Sequence, residues 1–168
     1  MNPHFAEIIF FKQTEMIQIK KCAPDDAIDL RHEVLRNNMS RQESVFEGDY
    51  DEETLHLGAY DKGNLIGVVT FHRKITNNFK AHPVYRLTGL AVLEGFRNKG
   101  IGEKLVTKGI DRLSKSDSIF VWCFARDFAL KFYEKLGFLL KVQQVIIPNI
   151  GSHRIVFKFV ANDNQLHR

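Results

Sequence analysis

Residues 97–102 read Arg97-Asn98-Lys99-Gly100-Ile101-Gly102, and they join a short apolar run to a helix-like pattern. Glycines at such a junction let the main chain approach a ligand with no Cβ in the way. N–H groups exposed at a helix start bind anions, phosphate above all. The helix end adds a positive partial charge, and Arg97 and Lys99 add full ones. The same residues also suit a tight turn that is merely basic. Two familiar phosphate loops do not fit. A Walker loop needs Gly-x4-Gly-Lys-Ser/Thr, which is absent, and a dinucleotide fingerprint needs three glycines after an early strand.

The elements that would position this loop follow from hydrophobic periodicity. Residues 16–22 alternate as a strand. Pro24 then opens a helical stretch over 24–38, with acids in the first turn and Ile28, Val34 and Leu35 on one side. Residues 54–61 and 65–74 flank "DKGN" and predict a hairpin. Another strand spans 84–93. Beyond the glycines, Ile101, Leu105, Val106, Ile110 and Leu113 keep helical spacing. Residues 118–124 form a short, continuously apolar strand of the buried kind. A helix over 127–136 stops at Gly137, and 138–147 and 153–160 supply two more strands. Residues 1–15 suggest an extension and 161–168 a frayed polar tail. The order predicts an α/β (α+β) domain, a mixed sheet covered by helices.

With a strand before it and a helix after it, the loop resembles the pyrophosphate loop of the GNAT superfamily of N-acetyltransferases. That pattern, Arg/Gln-x-x-Gly-x-Gly/Ala, is met by Arg97, Gly100 and Gly102. A second segment, "FALKFYEKLGF" at 128–138, is similar to a later helix of the same family, through Ala129, Phe132, Tyr133, Gly137 and Phe138. The resemblance covers roughly residues 16–160, within one domain spanning 1–168. "RHEVLR" (31–36) and Gly151-Ser152-His153 further resemble a bacterial, ElaA-like branch. It implies a mostly antiparallel sheet in which two strands splay to form a coenzyme cleft. Acetyl-CoA is the implied cosubstrate. The main chain of Leu90, Ala91 and Val92 would then hold the pantetheine arm and polarise the thioester. Residues Arg97, Asn98, Lys99, Gly100, Ile101 and Gly102 would hold the pyrophosphate. An unprotonated primary amine would attack directly, and Tyr133 occupies the place of the general acid.

Two positions depart from the family's pattern. Phe124 stands where many relatives have an asparagine that contacts the coenzyme, and Gly89 stands where many have a glutamate base. His56, His72, His153 and Glu33 are the candidate replacements, a histidine's ordinary pKa suiting base work near neutrality. Each also has a purely structural reading, and bulk water would serve if no base is needed. "EGDYDEE" (47–53) holds five acids in seven residues. It is either an acidic rim for a cationic acceptor or a solvated loop. Arg31 or Arg36 would face the acceptor, or lie on an ordinary amphipathic helix face. Phe124, Phe128 and Phe132 suit a core beside the cleft.

The chain's 168 residues, 44% hydrophobic and 26% charged, suit one globular domain. A net charge of +4 suits an anionic partner. Like charges form no run of the kind that makes a nucleic-acid arm. No apolar run approaches the ~20 residues that span a bilayer. Cys22 and Cys123 form neither a disulfide framework nor a metal-ligand pattern, and they suit buried thiols in a reducing cytosol. The expectation is a cytoplasmic N-acetyltransferase acting on a small-molecule or peptide amine, with no metal, nucleic acid or membrane partner and a homodimer left open. The alternative from another class is a non-catalytic acyl-CoA sensor or docking module.

Overall fold

Continuous buried runs on the two strands at residues 55–59 and 66–72 place the middle of one seven-stranded sheet inside this protein. The computed structural model describes residues 17–75, 82–147 and 150–162, so the extension expected at 1–15 and most of the expected tail lie outside the described residues. In chain order the elements are β1 (Gln18–Lys21), α1 (Pro24–Leu35), β2 (Leu55–Asp61), β3 (Asn64–Lys74), β4 (Val84–Val92), α2 (Ile101–Leu113), β5 (Ile119–Ala125), α3 (Leu130–Lys135), β6 (Leu139–Ile147) and β7 (Gly151–Val160). Short 3-10 turns at Arg41–Ser44, Glu94–Phe96 and Asp127–Ala129 lie between them. Among the described residues, no helix is long and apolar enough to cross a membrane.

The strands lie in the order β1-β2-β3-β4-β5-β7-β6. Neighbours are antiparallel except β4 and β5, which run parallel. Val68 and Val69 are adjacent on β3 and so face opposite ways. Val68 packs with Ala27 and Leu30 of α1. Val69 packs with Leu57, Phe71, Leu87 and the α2 residues Ile101, Leu105, Val106 and Ile110. The sheet therefore separates α1 from α2, and the larger core lies on the α2 side. This mixed, mostly antiparallel sheet flanked by helices matches the expected fold class.

Three expectations shift. The first helix ends at Leu35 rather than 38, because Arg36 leaves helical geometry (φ −145°, ψ 32°) and donates to the Glu43 carbonyl. Ser40 and Glu43 then form a reciprocal capping box on the following turn. The strand at 119–125 is not buried on both faces. Ile119, Val121, Cys123 and Ala125 are buried, whereas Phe120, Trp122 and Phe124 are half-buried, so the two faces of the strand differ in cover. Phe128 is 82% exposed, so it is not core: the 3-10 turn at Asp127–Ala129 points it outward.

Candidate active site

The parallel pair β4–β5 is joined only at Val84–Phe120, Tyr85–Val121 and Arg86–Trp122. Past that point Leu87–Val92 and Cys123–Ala125 face one another with no strand pairing, and the sheet opens as a wedge. Main-chain groups along such an edge need partners from elsewhere. A β-bulge bends β4 where the wedge opens. Thr88 opposes Thr70 and Ala91 opposes Val68, so Gly89 and Leu90 together face Val69. Gly89 adopts φ +58°, and a Cβ there would lie 2.3 Å from Nε of Arg31. Conformation and space both demand glycine at this point.

At the open end of β4 the chain turns through residues 93–100 into α2. Asn98 and Gly100 both have positive φ, +60° and +73°, and Gly100 is the N-cap with no side-chain cap on the helix. The Lys104 N–H bonds the Gly100 carbonyl at 3.0 Å. The N–H groups of Ile101, Gly102 and Glu103 precede any acceptor within the helix. A Cβ on Gly100 would meet nothing within 4 Å, so open space lies over this first turn. Arg97 and Lys99 are exposed and fold back on their own loop. Arg97 donates from Nε to the Val92 carbonyl at 3.1 Å, and Lys99 from Nζ to the Gly95 carbonyl at 3.0 Å.

Across the wedge, α3 ends in a doubly bonded cap. Phe138 N–H bonds the Tyr133 carbonyl at 3.0 Å and Gly137 N–H the Glu134 carbonyl at 2.9 Å, the Schellman arrangement. The rings of Tyr133 and Phe138 stack edge-on, 5.3 Å apart. The Tyr133 hydroxyl meets the thiol of Cys123, the first β5 residue past the paired stretch. Burial pushes this phenol well above its ordinary pKa, and burial also pushes the Cys123 thiol up to about 12. Both stay protonated at neutral pH. Phe132 lies 3.7 Å from where a Cβ of Gly102 would stand, and Leu90 lies 3.9 Å from it. The fold thus gathers Leu90, the glycine-capped turn and α3 around one opening. It brings together the two segments singled out in the sequence.

A family model described as "Acetyltransferase (GNAT) family" matches residues 21–138. The chain belongs to the GNAT acetyltransferase family. It is 32% identical over 143 residues to YitI of Bacillus subtilis, an uncharacterised N-acetyltransferase, covering 85% of this chain and 96% of YitI. Among solved structures it is similar to Escherichia coli ElaA, with a TM-score of 0.67 and 15% identity over 85% of this chain and 99% of ElaA. An aminoglycoside 6'-N-acetyltransferase complexed with coenzyme A gives 0.65 and 16%, over 84% and 96% of the two chains. Likenesses at such identity share the GNAT fold and single out no branch within it.

This GNAT chain also carries a buried polar cluster on the α1 side of the sheet. Arg31 is 0% exposed and Asp49 1%. The guanidinium donates to both Asp49 oxygens at 2.8 and 3.2 Å, to the Ser44 carbonyl at 2.8 Å and to Thr70 Oγ1 at 2.9 Å. Neither an acceptor-facing Arg31 nor a fully solvated 47–53 loop is what the fold uses; Glu47, Asp51, Glu52 and Glu53 stay exposed. Part of this was visible in the sequence, since Arg31 follows Ala27 by four residues and Ile28 by three, on the buried stripe.

The three histidine candidates have structural partners. His56 bonds Thr70 Oγ1 at 2.9 Å and the Asp49 carbonyl at 2.7 Å. His72 bonds Thr88 Oγ1 at 2.8 Å and stands 3.6 Å from Asp49. His153 is buried against the Gly151 carbonyl, and Glu33 is exposed on α1. Among the described residues, no group of three or more His, Cys, Asp or Glu is assembled to hold a metal.

Burial pushes the His72 imidazole down to about 4, against the pull of Asp49, and burial lowers His56 as well. Unfolded histidine titrates near 6.5, so on acidification the unfolded chain takes up these protons first. Stability fully present above that value should fall as pH drops from about 6.5 toward 4. Urea midpoints at intervals across that window should decline for the parent and decline less for His72→Asn. Equal slopes would remove His72 from the account.

Proposed function

We propose that this GNAT protein transfers an acetyl group from acetyl-CoA to a primary amine by direct attack within a ternary complex. One observation carries the reading: an unpaired β4 edge leads through the turn at residues 93–100 to a glycine-started helix with no side-chain cap. An edge of that kind suits the amide-rich pantetheine arm, and a turn of that kind suits the pyrophosphate. Leu90, Ala91 and Val92 would offer main-chain groups to the arm, with the Val92 carbonyl first released from Arg97. The N–H groups from Gly100 to Gly102, with Asn98, would surround the phosphates, and Arg97 and Lys99 would swing over them.

The chain's residues then act mainly by placement and by main-chain dipoles at the thioester oxygen. Tyr133 holds a proton beside β5 for the departing thiolate sulfur as the C–S bond breaks. The amine's surplus proton leaves to water, since the histidines nearest β4 are engaged in the core. In this reading the partners are a small-molecule or peptide amine, with neither nucleic acid nor membrane, in the cytoplasm, and a homodimer is compatible with it. An ElaA-like affiliation rests on residues 31–36 and 151–153 alone. That no base is placed at the opening among the described residues favours one second reading, an acyl-CoA-binding module without turnover. A screen of amine acceptors that follows free-thiol release separates the two.

Gly100→Val tests the cradle. It forces a β-branched residue to φ +73° and fills the space above the first turn. Coenzyme A affinity should fall more than tenfold, about 1.4 kcal/mol or more. Calorimetry that finds unchanged affinity in a folded variant would dismiss the loop as a pyrophosphate site.

A further inference from the structure

The α1 face of the sheet changes character between β4 and β5. Helix α1 covers it over β2, β3 and β4, but on β5 Trp122 and Phe124 are half-buried. Between helix and rings stands Arg86, paired across β3 with His72 and across β5 with Trp122. Its guanidinium lies 5.4 Å from the Trp122 ring centre and 5.2 Å from that of Phe124. The two rings meet edge-on at 5.3 Å and hold it from one side. Nε is buried with no hydrogen-bond partner, and no carboxylate among the described residues forms an ion pair with it. Glu47 acts on it only from farther away, and burial disfavours its charge. Unpaired charge in a partly dry setting is costly, and it becomes favourable once an anion completes it.

We infer that Arg86, with Trp122 and Phe124, forms a subsite for a carboxylate on the amine acceptor. The inference rests on the transferase reading above, and it narrows the acceptor to amino-acid-like amines. Arg86–Trp122 is the last joined pair before the wedge. A carboxylate bound there leaves an amine a few bonds away beside the opening. A planar fork of donors matches a carboxylate in two contacts. One guanidinium against an aromatic wall suits a monoanion with a flat or apolar body better than a doubly charged phosphate.

The chain has a single tryptophan, so emission from Trp122 reports occupancy without any turnover. With coenzyme A present, N-acetylated amino acids and their carboxamides are titrated in matched pairs. The acids should bind at least about tenfold tighter than the amides, as a charge-assisted pair requires. Arg86→Gln should bring the two within about threefold, well inside that factor, while coenzyme affinity and circular dichroism stay as in the parent. Arg86→Lys, keeping charge but losing the fork, should recover part of the preference. Equal binding of acid and amide by the parent protein overturns the subsite whether or not the variants fold. Tighter binding of phosphoethanolamine than of any carboxylate overturns it in favour of phosphate. Free amino acids that bind at Trp122 yet release no thiol from acetyl-CoA would uphold the subsite and refute the transferase reading instead.

Discussion

Replacing Asp49 by alanine should destabilise the protein by about 3–5 kcal/mol, the usual result of removing one partner from a buried ion pair. Arg31 would stay behind with its charge, fully enclosed, holding only the Ser44 carbonyl and Thr70 Oγ1. The Phe46 ring, 4.1 Å from its guanidinium carbon, does not replace a carboxylate. Asp49 also accepts the Phe46 N–H at 2.7 Å, so the loop entering β2 loses an anchor as well. For a chain of this size 1 kcal/mol moves Tm by roughly 2–4 °C, and the expected drop is on the order of 6–20 °C. Thermal and urea unfolding measure it. A loss below about 1 kcal/mol, the range of exposed pairs, would mean that water or another group already compensates Arg31.

Tyr133→Phe should lower turnover by ~10²- to 10⁴-fold while coenzyme affinity stays nearly constant, the range a general acid contributes. The substitution removes one hydroxyl and keeps the ring that packs on Phe132 and Phe138, 5.1 and 5.3 Å away. The capping bonds of α3 run through the main chain and survive. Burial keeps the phenol protonated, so the proton is present whenever the thiolate forms. The competing account gives Tyr133 only its bond to the Cys123 thiol and its place in the core. Turnover within about threefold of the parent, far short of acid catalysis, would establish that account and leave the thiolate to water.

Both of these residues lie in stretches that could be read in advance to very different degrees. The loop at 97–102 and the segment 128–138 were legible because their demands are local: a positive φ at Gly100, and a cap closed by residues five apart. The hairpin at 61–64 was legible for the same reason, with positive φ at Lys62 and Gly63. Strand order was not. Nothing within β5 announces that β7 will flank it, nor that its pairing with β4 stops at Trp122. The partner of Arg31 was equally hidden. A buried arginine calls for a carboxylate, and residues 47–53 offer five; only the turn that brings Asp49 under α1 selects one. The half-open face of Trp122 escaped because a continuous apolar run reads the same whether one side or both are covered.

The place of β7 between β5 and β6 has a consequence for how the chain comes together as it is made. β5 joins β4 by three residue pairs but β7 by seven, from Ile119–Val160 to Ala125–Arg154. Until residues 151–160 emerge, β5 has almost no partner, while β1 to β4 with α1 and α2 already hold most of their own contacts. Pairings between residues some 29 to 41 positions apart close late, since chain entropy must be overcome before they gain anything. In that order of assembly the part from β1 through α2 sets first and the apolar β5 waits for β7. During that interval the exposed edge is open to the wrong strand, from this chain or from a neighbour.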